Sequence, residues 1–180
     1  MGTSGIFCSR VVADDLASHS QVSPMISVDV GGFRFQLRAA ALIMNGRSVL
    51  LHRLEGDDFW ALPGGRVEPG EEARSTIVRE MMEEVAEGVD CDRLVYLVEN
   101  FFDCAGRANH EIGLYFLARL KAESALMDDS RSHWGCEGSR RLEFRWFPVE
   151  QLAGVDLRPS FLRESLAQPL LEFRHIVQRG

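Results

Sequence analysis

The stretch GRVEPGEEARSTIVREMMEEVAE, Gly65 to Glu87, decides the reading of this chain. From about Glu71 to Glu87 it has neither Gly nor Pro and is rich in Glu, Ala, Arg and Met, so it predicts a helix, with Gly88 as its stop. At about 100° per residue, Glu80, Glu83, Glu84 and Glu87 share an arc of roughly 100°, and Ile77, Val78, Met81, Met82 and Val85 cover the adjoining arc. The apolar face is ordinary core packing. The acidic face is less ordinary, because like charges at i, i+3 and i+4 each destabilise an isolated helix by a few tenths of a kcal/mol, and cationic partners are not interleaved at the right spacing. Either the face is simply solvated, or it binds hard divalent cations, of which magnesium is the usual ion for phosphate substrates.

Working outward, Pro63-Gly64-Gly65 must be a turn into this segment. Upstream, Ile26, Val28 and Val30 alternate up to Gly31-Gly32, and Phe33, Phe35 and Leu37 alternate after it, which predicts a hairpin. A second hairpin joins 39–44 to 48–53 through Asn45-Gly46. Downstream, 94–100, 111–120 and 142–148 read as strands, with a long loop over 121–140. A short helix near 149–152 and another over 160–167, capped by Ser160, close the chain. Strand pairs, one central helix, further strands and a terminal helix make the fold class α+β, with a mixed sheet.

The chain has 180 residues, 46% hydrophobic and 26% charged, which suits one domain with one substantial core. A formal net charge of -7 argues against a broad basic face for nucleic acid. No apolar run approaches the roughly 18 to 20 residues of a membrane span, and the cysteines, Cys8, Cys91, Cys104 and Cys136, lie too far apart to indicate a zinc site or a disulfide framework. The expectation is a cytoplasmic protein with an N-terminal arm over 1–24 and a single folded domain over 25–180, no nucleic-acid or membrane partner, and a homodimer left open.

In register, Gly65, Glu71, Arg79, Glu80, Met81, Glu83 and Glu84 match G-x5-E-x7-R-E-U-x-E-E-x-G-U, with U aliphatic, so the stretch resembles the Nudix box. At ~6% usage for each of the six fixed Gly, Glu and Arg positions, one start matches by chance with a frequency of roughly 5 × 10⁻⁸. Over all starts the figure is on the order of 10⁻⁵. Two positions depart: Ala86 stands at the glycine and Glu87 at the last aliphatic position, which predicts a helix running about half a turn further, to Gly88. DDFWALPGGRVEPGEE, HEIGLYFL, LEFRWFPVEQL and RPSFLRESL are also similar to segments of bacterial members of the family.

The resemblance implies an α/β/α sandwich and a magnesium- or manganese-dependent hydrolase of the MutT-like, pyrophosphatase type. Its substrate would be a small nucleoside diphosphate derivative, a nucleoside triphosphate included, cleaved at the diphosphate linkage. It makes Glu80, Glu83 and Glu84, with the Gly65 carbonyl, the metal ligands, gives Glu80 a catalytic role, and makes Arg79 and Glu71 the pair that braces loop against helix. A further carboxylate outside the box is expected among Glu111, Glu137 and Glu143; the E-x-x-W spacing before Trp146 favours Glu143. Arg38, Arg53 and Arg66 are candidates to hold phosphate bidentately, and Trp60 to stack on a base, against the plainer readings of solvated arginine and core aromatic. His52 and His110 read as surface or core histidines. The alternative from another class is a non-catalytic module sensing a nucleoside diphosphate compound.

Overall fold

A computed structural model describes residues 25–180. In chain order the first elements are β1 (Ser27–Val30), β2 (Phe33–Asn45), β3 (Ser48–Leu54), β4 (Gly64–Arg66) and α1 (Ala73–Val85). They are followed by β5 (Val89–Cys104), β6 (Arg107–Leu120), β7 (His133–Glu137), β8 (Arg140–Pro148), α2 (Leu162–Ser165) and β9 (Arg174–Arg179). The two hairpins read from sequence share one 13-residue strand, β2, because nothing between Leu37 and Ala39 breaks it. At its far end β2 pairs with β3 only at Met44 and Asn45. β3 then diverges to pair with β8, and β8 with β7. The body of β2 instead runs parallel to β6, with β5 antiparallel beyond it and β9 parallel to β5 at the edge. β4 pairs with β2 across Arg38–Ala40, which places the turn into α1 directly against the central strand.

β2 is buried on both faces. Ala39, Ala41 and Ile43 pack toward Ile77 and Met81 of α1 with Phe116, Phe144 and Trp146. Ala40 and Leu42 point the other way, to Leu51, Tyr96, Leu152, Leu157 and Leu162. Ile77 and Met81 are fully buried, each contributing about 1.5–3 kcal/mol, and Val85 packs against the same core, but Val78 and Met82 of the expected apolar face are exposed, so only the inner part of that arc is core. The result is the expected α+β sandwich with a mixed sheet. No helix among the described residues is long and apolar enough to cross a membrane.

Several boundaries differ from the sequence reading. The helix does not run on to Gly88: α1 ends at Val85, and Ala86 adopts the left-handed conformation at φ 57°, its N–H donating to the Met82 carbonyl. An L-residue pays for that conformation with a Cβ clash that glycine lacks. Ala86→Gly is therefore expected to stabilise the fold by about 1 kcal/mol, read as a rise in the urea midpoint at unchanged slope; a lower midpoint would restore the longer helix. The segment 121–140 is not all loop, since it holds a 3₁₀ turn at Ala125–Met127 and the strand β7. The first closing helix is 3₁₀ and extends over 149–154, two residues further than expected, whereas α2 covers only four residues, with Phe161 rather than Ser160 at its cap position. The sequence reading has no counterpart of the exposed edge strand β9. The expected arm over 1–24 lies outside the described residues.

Candidate active site

Two glycines let the chain enter the site. Gly64 has φ 137°, and a Cβ there would stand 2.2 Å from the Ala39 carbonyl oxygen. At Gly65 a Cβ would stand 2.0 Å from Oε1 of Glu80. Any side chain at 65 would thus displace the carboxylate that α1 presents, which gives a physical reason for glycine at the start of the motif.

Arg79 is the hub of the loop and helix. Its Nε and Nη2 donate to the two oxygens of Glu71 at 2.8 and 3.0 Å, the bidentate arrangement. Nη2 also reaches the Arg66 carbonyl at 3.3 Å, and Nη1 donates to Glu80 Oε1 at 2.8 Å and Glu83 Oε2 at 3.2 Å. The helix therefore does carry an interleaved cation, contrary to the expectation from spacing. Glu71 accepts further bonds from the Thr76 hydroxyl at 2.7 Å and the Glu68 N–H at 3.0 Å. Held first by Arg79, then by these donors, its carboxyl is pulled down to about 2 against the cost of burial.

Glu80 moves the other way: burial and the charge of Glu84 raise its pKa, and Arg79 and Arg38 offset this only in part. Glu84 is 6% exposed, and its Oε2 has no hydrogen-bond partner. It lies 3.5 Å from Nδ1 of His52, also buried and also unpartnered. A buried carboxylate oxygen without a donor costs about 1–3 kcal/mol or more, and a divalent cation with oxygen ligands would remove that cost. Among the described residues no three acidic, histidine or cysteine side chains already converge as a closed ion cage, because Arg79 draws Glu80 and Glu83 to itself. The donor set nonetheless fits such an ion: hard carboxylate oxygens, one of them orphaned, beside a backbone turn.

The cleft above this face is lined by Glu80, Glu83, Arg38, Arg66 and Glu137, and it continues past Gly64 to Glu84 and His52. Arg38 donates to the Gly64 carbonyl at 2.8 Å. Burial, and then the charge of Arg38, lower the pKa of Arg66, so this pair of cations is set to gain from an anion. The remaining sequence candidates lie elsewhere or are engaged. Arg53 donates to Glu143 at 2.9 Å, its guanidinium over the ring of Trp60 at 4.5 Å. Trp60 is buried against Phe147. Glu143 also accepts from the Ser132 hydroxyl at 2.6 Å; burial raises its pKa, but these two partners hold it below the ordinary value. Glu111 is fully buried, accepts from Gln36 at 2.7 Å, and has its pKa raised by burial. His110 stacks on Phe101.

Sequence reasoning missed Gly135 and the placement of His52. A Cβ on Gly135 would fall 2.0 Å from the Glu84 carbonyl oxygen, so this glycine lets β7 lie against the end of α1 and bring Glu137 to the cleft. The signal is a glycine inside a strand, a mark of close backbone approach, but the sequence alone makes this segment part of the loop over 121–140.

Comparison with known proteins agrees with this geometry. The NUDIX domain profile matches residues 34–168. An ADP-ribose pyrophosphatase from Streptococcus suis 89-1591 superposes with a TM-score of 0.54 at 18% identity, over 79% of this chain and 98% of that one. A UDP-X diphosphatase superposes at 0.56 with 21% identity, over 78% and 66%, and a MutT protein from Methanosarcina mazei Go1 at 0.54 with 20% identity, over 77% and 94%. At these identities the likeness is one of fold; it is the profile, spanning three quarters of the sequence from β2 to beyond α2, that places the chain in the Nudix hydrolase family.

Proposed function

We propose that this protein cleaves the diphosphate linkage of a small nucleoside diphosphate derivative, a nucleoside triphosphate included, using Mg2+ or Mn2+. The observation that carries the proposal is the buried, unpartnered carboxylate oxygen of Glu84, in a pocket that shares Arg38 and Gly64 with the adjoining cleft of Glu80, Glu83 and Arg66. The diphosphate cleavage named for two of the similar folds supports it. Glu80, Glu83 and Glu84 with the Gly65 carbonyl would hold the ions, which when bound neutralise phosphate charge and acidify a water. Arg38 and Arg66 bind the phosphate oxygens and fix the substrate in line. Arg79 and Glu71 position the loop and helix. Glu80, with its raised pKa, accepts the water proton on Oε2, since Oε1 is held by Arg79.

For the carboxylate outside the box we choose Glu137 in place of Glu143, because Glu137 lines the cleft whereas Glu143 is bound by Arg53 and Ser132. Glu137→Gln is expected to lower kcat by about 10²-fold, the scale of a lost acid–base group, and Glu143→Gln by less than about 3-fold. The reverse order in steady-state rates would return the role to Glu143. The reaction itself is tested by incubating the protein with Mg2+ and a panel of nucleoside triphosphates, nucleotide sugars and dinucleoside polyphosphates, followed by phosphorus NMR. Cleavage between phosphates of at least one compound is expected; binding without any turnover would favour the sensor reading.

A further inference from the structure

β3 sends Leu50, His52 and Leu54 to one face by its period of two, and on that face Leu50 and Leu54 belong to the core that packs on α1. Histidine is the polar member of an otherwise leucine row. Its ring is 7% exposed and packs against Phe144 at 5.5 Å between centroids. Nδ1 faces Oε2 of Glu84 at 3.5 Å, and both atoms are buried with no other partner. Two orphaned polar atoms facing each other in a core are costly apart, and a movement of about 0.5 Å makes them an ordinary N–H···O bond.

We propose that His52 is a positioning residue for the ion site: its Nδ1–H donates to Oε2 of Glu84 and holds that carboxylate turned toward the cleft. The inference rests on the proposed role of Glu84 as an ion ligand. Ligating carboxylates are themselves commonly fixed by such outer hydrogen bonds, and losing one costs 10- to 100-fold in ion affinity. From β3, His52 does for Glu84 what Arg79 does for Glu80 from within the helix. A leucine at 52 would complete the apolar row and leave Glu84 without its donor.

The test is the affinity of the substrate-free protein for Mn2+ alone, measured by paramagnetic resonance of the free ion, with the ion-free thermal midpoint as the check on folding. His52→Leu is expected to weaken Mn2+ binding 10- to 100-fold without lowering the ion-free midpoint. His52→Gln, which keeps an N–H donor, is expected to stay within about 3-fold of the unmodified protein on the same scale. In assays, His52→Leu should raise the ion concentration needed for half-maximal rate far more than it lowers the rate at saturating ion. If the leucine variant fails to fold, His52→Phe, which keeps a ring against Phe144, is read in its place. Wild-type affinity in a folded leucine or phenylalanine variant overturns the inference. So do equal losses in the glutamine and leucine variants, which would make the imidazole itself a ligand. Failure of the ion site is a different result: there the unmodified protein would not bind Mn2+, or Glu84→Gln would bind it as tightly, and the inference would fall with it.

Discussion

Glu84→Gln is expected to reduce kcat by at least about 10²-fold, the several kcal/mol assigned to metal-ion stabilisation, while making the ion-free protein more stable. The two effects have one cause. Glu84 is buried and its Oε2 has no donor beyond the proposed contact with His52, so its charge is a cost to the fold that a bound cation offsets far better than one imidazole N–H. A neutral amide of the same shape removes the cost and the ligand together, and a gain of about 1 kcal/mol is the scale of one relieved buried group. Chemical denaturation without ion, set beside steady-state rates with ion, reads both. Full activity of the variant would remove Glu84 from the site; lost activity with lowered stability would mean that the contacts of the carboxylate, His52 included, outweigh the cost of burying its charge.

Arg79→Met is expected to destabilise the protein by about 3 kcal/mol at neutral pH, the scale of removing one partner from a largely buried ion pair, because it strips donors from Glu71, Glu80 and Glu83 at once. The pH dependence is specific. The folded pKa of Glu71 is about 2 against an ordinary 4.5, so its stabilising effect is fully present above about 4.5 and is lost as the pH falls toward 2. The difference between wild type and variant should therefore shrink across that window. A constant difference from pH 6 to pH 2 would show that Arg79 acts through packing of its stem rather than through its ion pairs.

Much of this was legible in the sequence. The alternation before and after Gly31-Gly32, the periodicity of Ile77 and Met81, and the spacing of Gly65, Glu71, Arg79, Glu80, Glu83 and Glu84 carried the fold class and the face of the helix. These features depend on neighbours a few residues apart, which is the range over which pattern reports structure. What stayed hidden depends on contacts distant in sequence. β7 is a strand because it pairs with β8 and rests its Gly135 on the end of α1. β9 exists by pairing with β5 more than seventy residues earlier. Glu143 looked apt for its spacing to Trp146, but only the fold shows it bound by Arg53 and Ser132 while Glu137 faces the box. At Ala86 the spacing misled, since the missing glycine suggested a longer helix. Instead the turn after Val85 is kept, with alanine in the left-handed position.

The proposed ion-dependent hydrolysis of a diphosphate linkage belongs to the acidic face of α1. Its most direct test is the initial rate of cleavage of the best substrate as a function of free Mg2+, from excess chelator to millimolar ion. No cleavage is expected in chelator, with saturable recovery as ion is restored and no recovery in Glu80→Gln at any ion concentration. A rate independent of the ion, or restored by it equally in Glu80→Gln, would contradict it.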